Sequence, residues 1–174
     1  APWTVATYMI AGRGTPDQGP AREWMYSDPE GFGQLIDLIT ESTIEYLAKQ
    51  VEAGAEVIKL FDSWAVALGG SCFEDYALKP AVRIATELKA RLPGLPVIGF
   101  PRGASGGYIK FADAGVFDGV AIDTSVPADW ARDVLQSKVA VQGNLDPMLL
   151  VTGGDSLERE TKRLLEILGQ GPYI

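Results

Sequence analysis

The 174-residue sequence contains no histidine and a single cysteine, Cys72. The commonest metal ligand and general base is therefore missing, and a Ser-His-acid triad cannot be built. Zinc would need carboxylates alone, so we predict that the chain holds no metal. One cysteine cannot form an internal disulfide, which fits a reducing compartment and a cytoplasmic location.

Long apolar runs, an export leader and Lys/Arg clusters are also absent. No apolar run approaches the roughly 20 residues that cross a bilayer. The net charge of −8 would repel nucleic-acid phosphates, because no group of cations offsets it. The sequence thus predicts neither a membrane nor a nucleic-acid partner.

Hydrophobic residues make up 47% of the chain and charged residues 22%, enough apolar surface for one folded domain. The sequence begins at Ala1 and ends at Ile174, in both cases within a strand-like apolar segment. Natural termini are usually polar and frayed. We therefore expect residues 1–174 to be a single-domain fragment of a longer protein.

Strand-like and helix-like patterns alternate along the chain. Asp28 with Pro29 is typical of a helix start, and Asp155 followed by Glu158 has the spacing of a capping box. The pattern predicts strands near residues 4–10, 57–61, 97–100, 120–122 and 139–141, a strand stub at 172–174, and helices near 28–54, 75–92, 108–114, 128–135 and 155–168.

This alternation predicts parallel strands joined by right-handed crossovers. Two architectures fit: an open doubly wound sheet, or an arc of an eight-stranded barrel. Five strands and a stub cannot close such a barrel.

Polar residues follow each predicted strand, and in both architectures functional groups gather at the carboxyl ends of strands. Each residue also has a structural interpretation, as a core tyrosine, a turn or cap residue, or a solvated loop charge. The residues concerned are Tyr8, Asp62, Ser63, Arg102, Asp123, Asn144 and Asp146.

Four motifs resemble one enzyme family in identity, order and spacing. They read APWTVATYM at 1–9, FDSWA at 61–65, GFPRG at 99–103 and QGNLDP at 142–147. All four resemble bacterial members of the uroporphyrinogen decarboxylase family. The resemblance covers the whole chain but about half of the family's usual length, so it implies a partial (β/α)8 TIM barrel of about five βα units.

The resemblance also implies an activity, a substrate and a partner. Members of the family convert uroporphyrinogen to coproporphyrinogen by decarboxylating four acetate side chains, without a cofactor and usually as a homodimer. Such chemistry needs proton donors, a carboxylate to hold the pyrrole N–H groups, and cations for the substrate carboxylates.

Site roles follow from the matching positions. Tyr8 matches the family's catalytic tyrosine, and Ser63 and Phe61 match residues that bind the substrate. The secondary candidates are Asp62, Arg102 and Asn144, and for the last two, as for Asp146, we favour a structural role.

The chain also departs from the family pattern. The family's aspartate and substrate-binding arginines precede Ala1, and its histidine follows Ile174. The Asp-Trp pair usual after the fourth strand is Asp123-Thr124 here. We therefore expect the 174-residue chain alone to be inactive.

Two alternatives remain open at this point. A corrinoid or thiol methyltransferase of the same barrel superfamily would hold zinc through His and Cys, and bound zinc would identify it. A non-enzymatic half-barrel that self-associates through exposed strand edges would be identified by light scattering.

Overall fold

The computed structural model describes residues 1–174 and contains one parallel sheet with the strand order β1-β2-β3-β4. Every strand pairs in parallel with the next one along the chain, so each connection between strands is a crossover of the kind found in βα units. The strands are β1 (Ile58–Asp62), β2 (Val97–Pro101), β3 (Gly119–Ile122) and β4 (Ala140–Gly143).

Helices precede and separate the strands, and two of them contain a π-helical segment. The α-helices are α1 (Pro2–Ala11), α2 (Gly19–Ser27), α3 (Pro29–Glu52), α4 (Gly70–Phe73), α5 (Lys79–Arg91), α6 (Gly107–Asp113), α7 (Ala128–Trp130), α8 (Pro147–Thr152) and α9 (Gly154–Leu168). The π-helical segments, Glu74–Leu78 and Ala131–Leu135, lead into α5 and extend α7. No helix combines the length and apolar character needed to cross a membrane.

The mixed α/β architecture confirms the prediction of parallel βα units and fits part of a TIM barrel. Beyond β4, Tyr173 forms a parallel bridge with Val141, where the sequence predicted the first step of another strand. The edge of the sheet therefore continues in the order that a barrel requires.

The prediction of a strand at residues 4–10 is wrong, because this segment lies within α1. Pro2 stands in the first turn, where its missing N–H is not needed. The residues that α1 buries are Pro2, Trp3, Ala6 and Thr7, which recur at helical rather than alternating spacing. The apolar, partly β-branched run therefore packs as a helix, and the sheet has four strands instead of five.

Several helix boundaries also differ from the sequence predictions. Asp28 does cap α3, accepting a hydrogen bond from the Gly31 N–H at 3.0 Å. The predicted capping box of Asp155 is wrong, because α9 begins at Gly154 after Gly153 without a side-chain cap. The short helices α2 and α8 were not predicted.

The two faces of the sheet have different surroundings. On the helix-facing side, alternate strand residues such as Leu60, Val97 and Val120 join a continuous hydrophobic core with the helices. The other side, here called the inner face, carries Lys59, Phe61, Ile98 and Phe100, which alternate with those residues along β1 and β2. The inner face corresponds to the interior of the barrel.

Candidate functional site

The carboxyl ends of β2, β3 and β4 surround a cavity of about 600 Å³. Two loop segments after β1 and β4 complete its wall. Its lining residues include Trp64, Phe100, Arg102, Asp123 and Asn144. The polar residues that follow the strands therefore do meet at one rim.

Asp123 forms the centre of a hydrogen-bond network at this rim. Its Oδ2 atom accepts from the Tyr108 hydroxyl at 2.5 Å and from the Gly103 N–H at 2.6 Å. Its Oδ1 atom accepts from the backbone N–H and the hydroxyl of Ser125. Partial burial raises the pKa of Asp123, but the hydrogen bonds from Ser125, Tyr108 and Gly103 outweigh burial and hold it below its usual value.

Asp123→Ala should lower the free energy of unfolding by about 2 kcal/mol, because the buried Tyr108 hydroxyl loses its acceptor and the Gly103 N–H keeps only its longer hydrogen bond, to the Tyr108 oxygen. Urea unfolding measures this change. A double-mutant cycle with Tyr108→Phe should give a coupling of about 1 kcal/mol. Asp129→Ala, which removes an exposed carboxylate, serves as the control. An equal loss of stability in Asp123→Ala and Asp129→Ala would contradict the network.

The side chains of Asn144 and Asp146 form hydrogen bonds with backbone groups at the rim of the cavity. Asn144 has a left-handed backbone, with φ 78°, and its Nδ2 donates to the carbonyl oxygens of Asp123 at 3.0 Å and Val126 at 2.7 Å. Asp146 caps α8 by accepting from the Met148 N–H at 2.9 Å. The Asn144 hydrogen bonds therefore join the loops that follow β3 and β4, whereas the Asp146 bond stabilises only the start of α8.

Arg102 lies in the cavity wall without an ion-pair partner. Its backbone N–H donates to the Asp62 carbonyl at 3.1 Å, which holds the loop after β2 against the end of β1. The next residue, Gly103, has φ 72°, and a Cβ there would lie 2.7 Å from Cβ of Val66. Glycine therefore allows this loop to turn close against Val66.

Asp62 does not line the cavity. Its side chain is 2% exposed and lies on the helix-facing side of β1, where Oδ1 accepts from the Thr4 hydroxyl at 2.6 Å. The Oδ2 atom has no hydrogen-bond partner. Burial raises the pKa of Asp62 to about 6, only partly opposed by the hydrogen bond from Thr4.

This raised pKa makes stability depend on pH. Because the folded-state pKa lies above the reference value of 3.8, the stabilisation is complete below pH 3.8 and is lost as pH rises through about 6. Asp62→Asn keeps an oxygen acceptor for Thr4 without the charge. We expect this variant to remove a decline of about 2–3 kcal/mol over that range.

Urea unfolding of both proteins at several pH values from 4 to 7 measures the difference. Asp37→Asn, an exposed carboxylate on α3, is the control. Parallel pH profiles for the wild type and Asp62→Asn would contradict the assignment of this titration to Asp62.

Hydrogen bonds fix α1 against the carboxyl end of β1. The Thr4 hydroxyl accepts from the Trp64 N–H at 3.2 Å, and Trp3 Nε1 donates to the Trp64 carbonyl at 2.9 Å. Tyr8 lies one turn further along α1, with its ring centroid 6.4 Å from that of Trp64, which lines the cavity. Although Tyr8 is on a helix and not in a strand, α1 places it beside the cavity wall.

Phe61 and Ser63 lie on either side of Asp62 at the end of β1. Phe61 is 50% exposed on the inner face and packs edge-on against Phe100, with ring centroids 5.6 Å apart. Ser63 is half-buried and is the first residue beyond the strand. Both residues are therefore within the region where β1 and β2 meet the rim.

The structure thus brings Phe100, Arg102 and Asn144 together in one cavity, with Tyr8 and Phe61 next to it. The network of Asp123 with Tyr108 was missed, although the position of Asp123 after a strand was a usable signal. The structure contains no group of three or more His, Cys, Asp or Glu side chains that could hold a metal ion.

Comparison with known proteins identifies the family. A sequence model described as "Uroporphyrinogen decarboxylase (URO-D)" matches residues 1–174. The chain is 61% identical over 174 residues to the protein named uroporphyrinogen decarboxylase from Jannaschia sp. (strain CCS1), covering 100% of this chain and 51% of that relative. It is 58% identical over 174 residues to the protein of that name from Paracoccus denitrificans (strain Pd 1222), with the same coverage.

A third relative of the same name, from Cereibacter sphaeroides (strain ATCC 17029 / ATH 2.4.9), is 59% identical over 174 residues, covering 99% of this chain and 51% of the relative. The chain spans about half the length of the curated relatives it matches. The match extends over every residue of the chain and includes all the strands that form the cavity. The chain therefore belongs to the uroporphyrinogen decarboxylase family.

Proposed function

We propose that this chain forms part of a cofactor-free enzyme that decarboxylates the four acetate side chains of uroporphyrinogen to give coproporphyrinogen. The observation that carries the proposal is the family match over residues 1–174, with relatives named for this activity at about 60% identity. The cavity at the carboxyl ends of the strands, where a TIM barrel holds its active site, supports it.

Each decarboxylation replaces a carboxylate by a proton. A pyrrole carbon is protonated, the carbon–carbon bond to the carboxylate breaks with release of CO2, and the resulting methylene carbon is protonated to a methyl group. The pyrrole carbon recovers its unsaturation as the first proton leaves. Net consumption is one proton for each CO2 released, so proton donors and charge-stabilising groups suffice.

We assign the roles within this chain by position. Tyr8 acts as the catalytic residue at the edge of the cavity, where its exposed ring can reach a bound substrate. Phe61 and Ser63 contact the substrate at the end of β1. Arg102, for which the sequence favoured a structural role, lines the cavity without an ion-pair partner and provides a cation for a substrate carboxylate. Asn144 and Asp62 hold the surrounding backbone and α1 in place.

The complete enzyme is proposed to act in the cytoplasm as a homodimer, in line with the family resemblance. Light scattering of the purified complete protein measures its mass in solution. We expect twice the mass of one protomer, and a monomer at micromolar concentration would overturn this part of the proposal.

The direct test is turnover by the purified complete protein. Anaerobic incubation with chemically reduced uroporphyrin should give coproporphyrinogen and four molecules of CO2, detected by chromatography after oxidation. Addition of EDTA should not change the rate. A folded protein that leaves uroporphyrinogen unchanged, with an established decarboxylase of the family active in parallel, would refute the proposed function.

A further inference from the structure

Lys59 is a cation on the inner face of the sheet. Along β1, residues Ile58, Leu60 and Asp62 are buried towards the helices, whereas Lys59 and Phe61 alternate with them on the other side. In the register with β2, Lys59 is the partner of Ile98 and Phe61 is the partner of Phe100. The lysine therefore lies on the side of the sheet that forms the interior of the barrel.

The Lys59 side chain reaches towards the carboxyl end of the strands. Its Nζ atom lies 4.5 Å from the ring centroid of Phe61 and 5.0 Å from that of Phe100. Both rings attract the ammonium group through cation–π interactions. Since Phe100 also lines the cavity, the ammonium group lies next to the cavity floor.

No carboxylate of the chain neutralises this cation. Ten of the fifteen Lys and Arg side chains form ion pairs with Asp or Glu within 4.0 Å. Lys59 and Arg102 are among the five that do not, together with Arg13, Arg22 and Arg159, and of these five only Arg102 lines the cavity while Lys59 contacts the lining residue Phe100. Partial burial lowers the pKa of the Lys59 ammonium group, and a bound carboxylate would offset this loss of hydration. In a chain with a net charge of −8, a partly buried cation beside the cavity that no carboxylate of the chain pairs is free to bind an anion from elsewhere.

We propose that Lys59 binds a carboxylate of the porphyrinogen substrate. The edges and faces of Phe61 and Phe100 then pack against a pyrrole ring, while Arg102 binds a second carboxylate at the mouth of the cavity. This inference rests on the proposed function, because it takes its ligand from that reaction. It adds a specificity-determining residue on the inner face to those at the strand ends.

The chemistry of the ligand matches that of the site. A polycarboxylate with apolar rings needs cations spaced around an aromatic surface, and the side chains of Lys59, Phe61, Phe100 and Arg102 form such an arrangement. A lysine ammonium serves as a point charge with three donors and can follow a carboxylate as the substrate changes during successive decarboxylations.

The experiment compares Lys59→Met, Lys59→Arg and Lys138→Met in the complete enzyme. Lys138 is the matched control because it is also half-exposed but precedes β4, at the opposite end of the sheet. Lys59→Met should raise KM for uroporphyrinogen about 10-fold with little change in kcat, since a charge-assisted contact is lost. Lys59→Arg should stay within about 3-fold of wild type, and Lys138→Met should match wild type.

A second readout is the dependence of KM on salt. Sodium chloride should raise KM of the wild type more steeply than that of Lys59→Met, because one ionic contact is absent from the variant. The thermal midpoint of each variant is measured in parallel. An unchanged KM with a lowered midpoint would show that Lys59 pairs with an acidic residue of the complete enzyme and would overturn the inference.

The outcomes also separate this inference from the proposed function. Active wild-type enzyme with an unchanged KM and salt dependence in Lys59→Met would overturn the assignment of Lys59 alone. Wild-type protein without decarboxylase activity would overturn the proposed function and, with it, the ligand assigned to Lys59. A large rise in KM for Lys59→Met, together with a KM for Lys59→Arg within about 3-fold of wild type, supports both the proposed function and the role of Lys59.

Discussion

Tyr8→Phe in the complete enzyme should lower kcat for coproporphyrinogen formation about 100-fold while leaving the thermal unfolding midpoint unchanged. A positioned proton donor or acceptor contributes about 10²–10⁴-fold to the rate, and this substitution removes only the hydroxyl. Tyr8 is 45% exposed, so removal of its hydroxyl leaves no buried polar group without a partner. Its ring, which contacts Trp64, is retained in the variant.

The position of Tyr8 explains why the effect should fall on the rate. The hydrogen bonds of Trp3 and Thr4 fix α1 at the end of β1, and Tyr8 is one helical turn beyond Thr4. Tyr46→Phe is the matched control, because Tyr46 is an exposed tyrosine on α3. Equal values of kcat for wild type and Tyr8→Phe would mean that Tyr8 only packs against Trp64 and takes no part in catalysis.

Much of the fold could be predicted because local signals and tertiary structure agree. The four short apolar runs that became strands are each followed by polar or glycine-containing turns, and parallel strands buried by helices need no alternation. Asp28 and Pro29 likewise mark the start of α3 in the chain as in the structure. In these segments, each local preference is consistent with the packing that the complete fold provides.

Residues 4–10 show why the remaining part could not be predicted. Their apolar character suits a strand or a helix, and only the packing of Trp3 and Ala6 against neighbouring elements selects the helix. Although the predicted secondary structure was wrong, Tyr8 lies beside the cavity wall, next to the rim at which the strands end. The reason is that α1 precedes the sheet and is bound to the end of β1 by side-chain hydrogen bonds.

At the site, the positions of polar residues could be predicted, but their directions could not. The ends of the predicted strands located the rim. The orientation of Asp62, however, follows from its position two residues after the buried Leu60, because alternate residues of a strand face the same side. The contact of Asp123 with Tyr108 depends on how α6 packs across β3, which no motif in the sequence specifies. The inner-face position of Lys59 similarly required the pairing of β1 with β2.

Trp3→Ala should have the largest effect on stability, lowering the free energy of unfolding by about 3–5 kcal/mol. Trp3 is 0% exposed, and its ring packs edge-on against Phe32 with centroids 6.0 Å apart. The substitution creates a cavity between α1 and α3 and leaves the Trp64 carbonyl without the Nε1 donor. Urea unfolding of the complete protein measures the loss.

The same substitution tests whether α1 positions Tyr8. Trp24→Ala is the control, because Trp24 also packs edge-on against Phe32 but is only partly buried, and its Nε1 bonds to the exposed Asp28. Under conditions where both variants are folded, Trp3→Ala should also lower kcat, since α1 loses a tether to the end of β1. Equal kcat values for the two variants would mean that the bonds of Thr4 alone hold Tyr8 at the cavity.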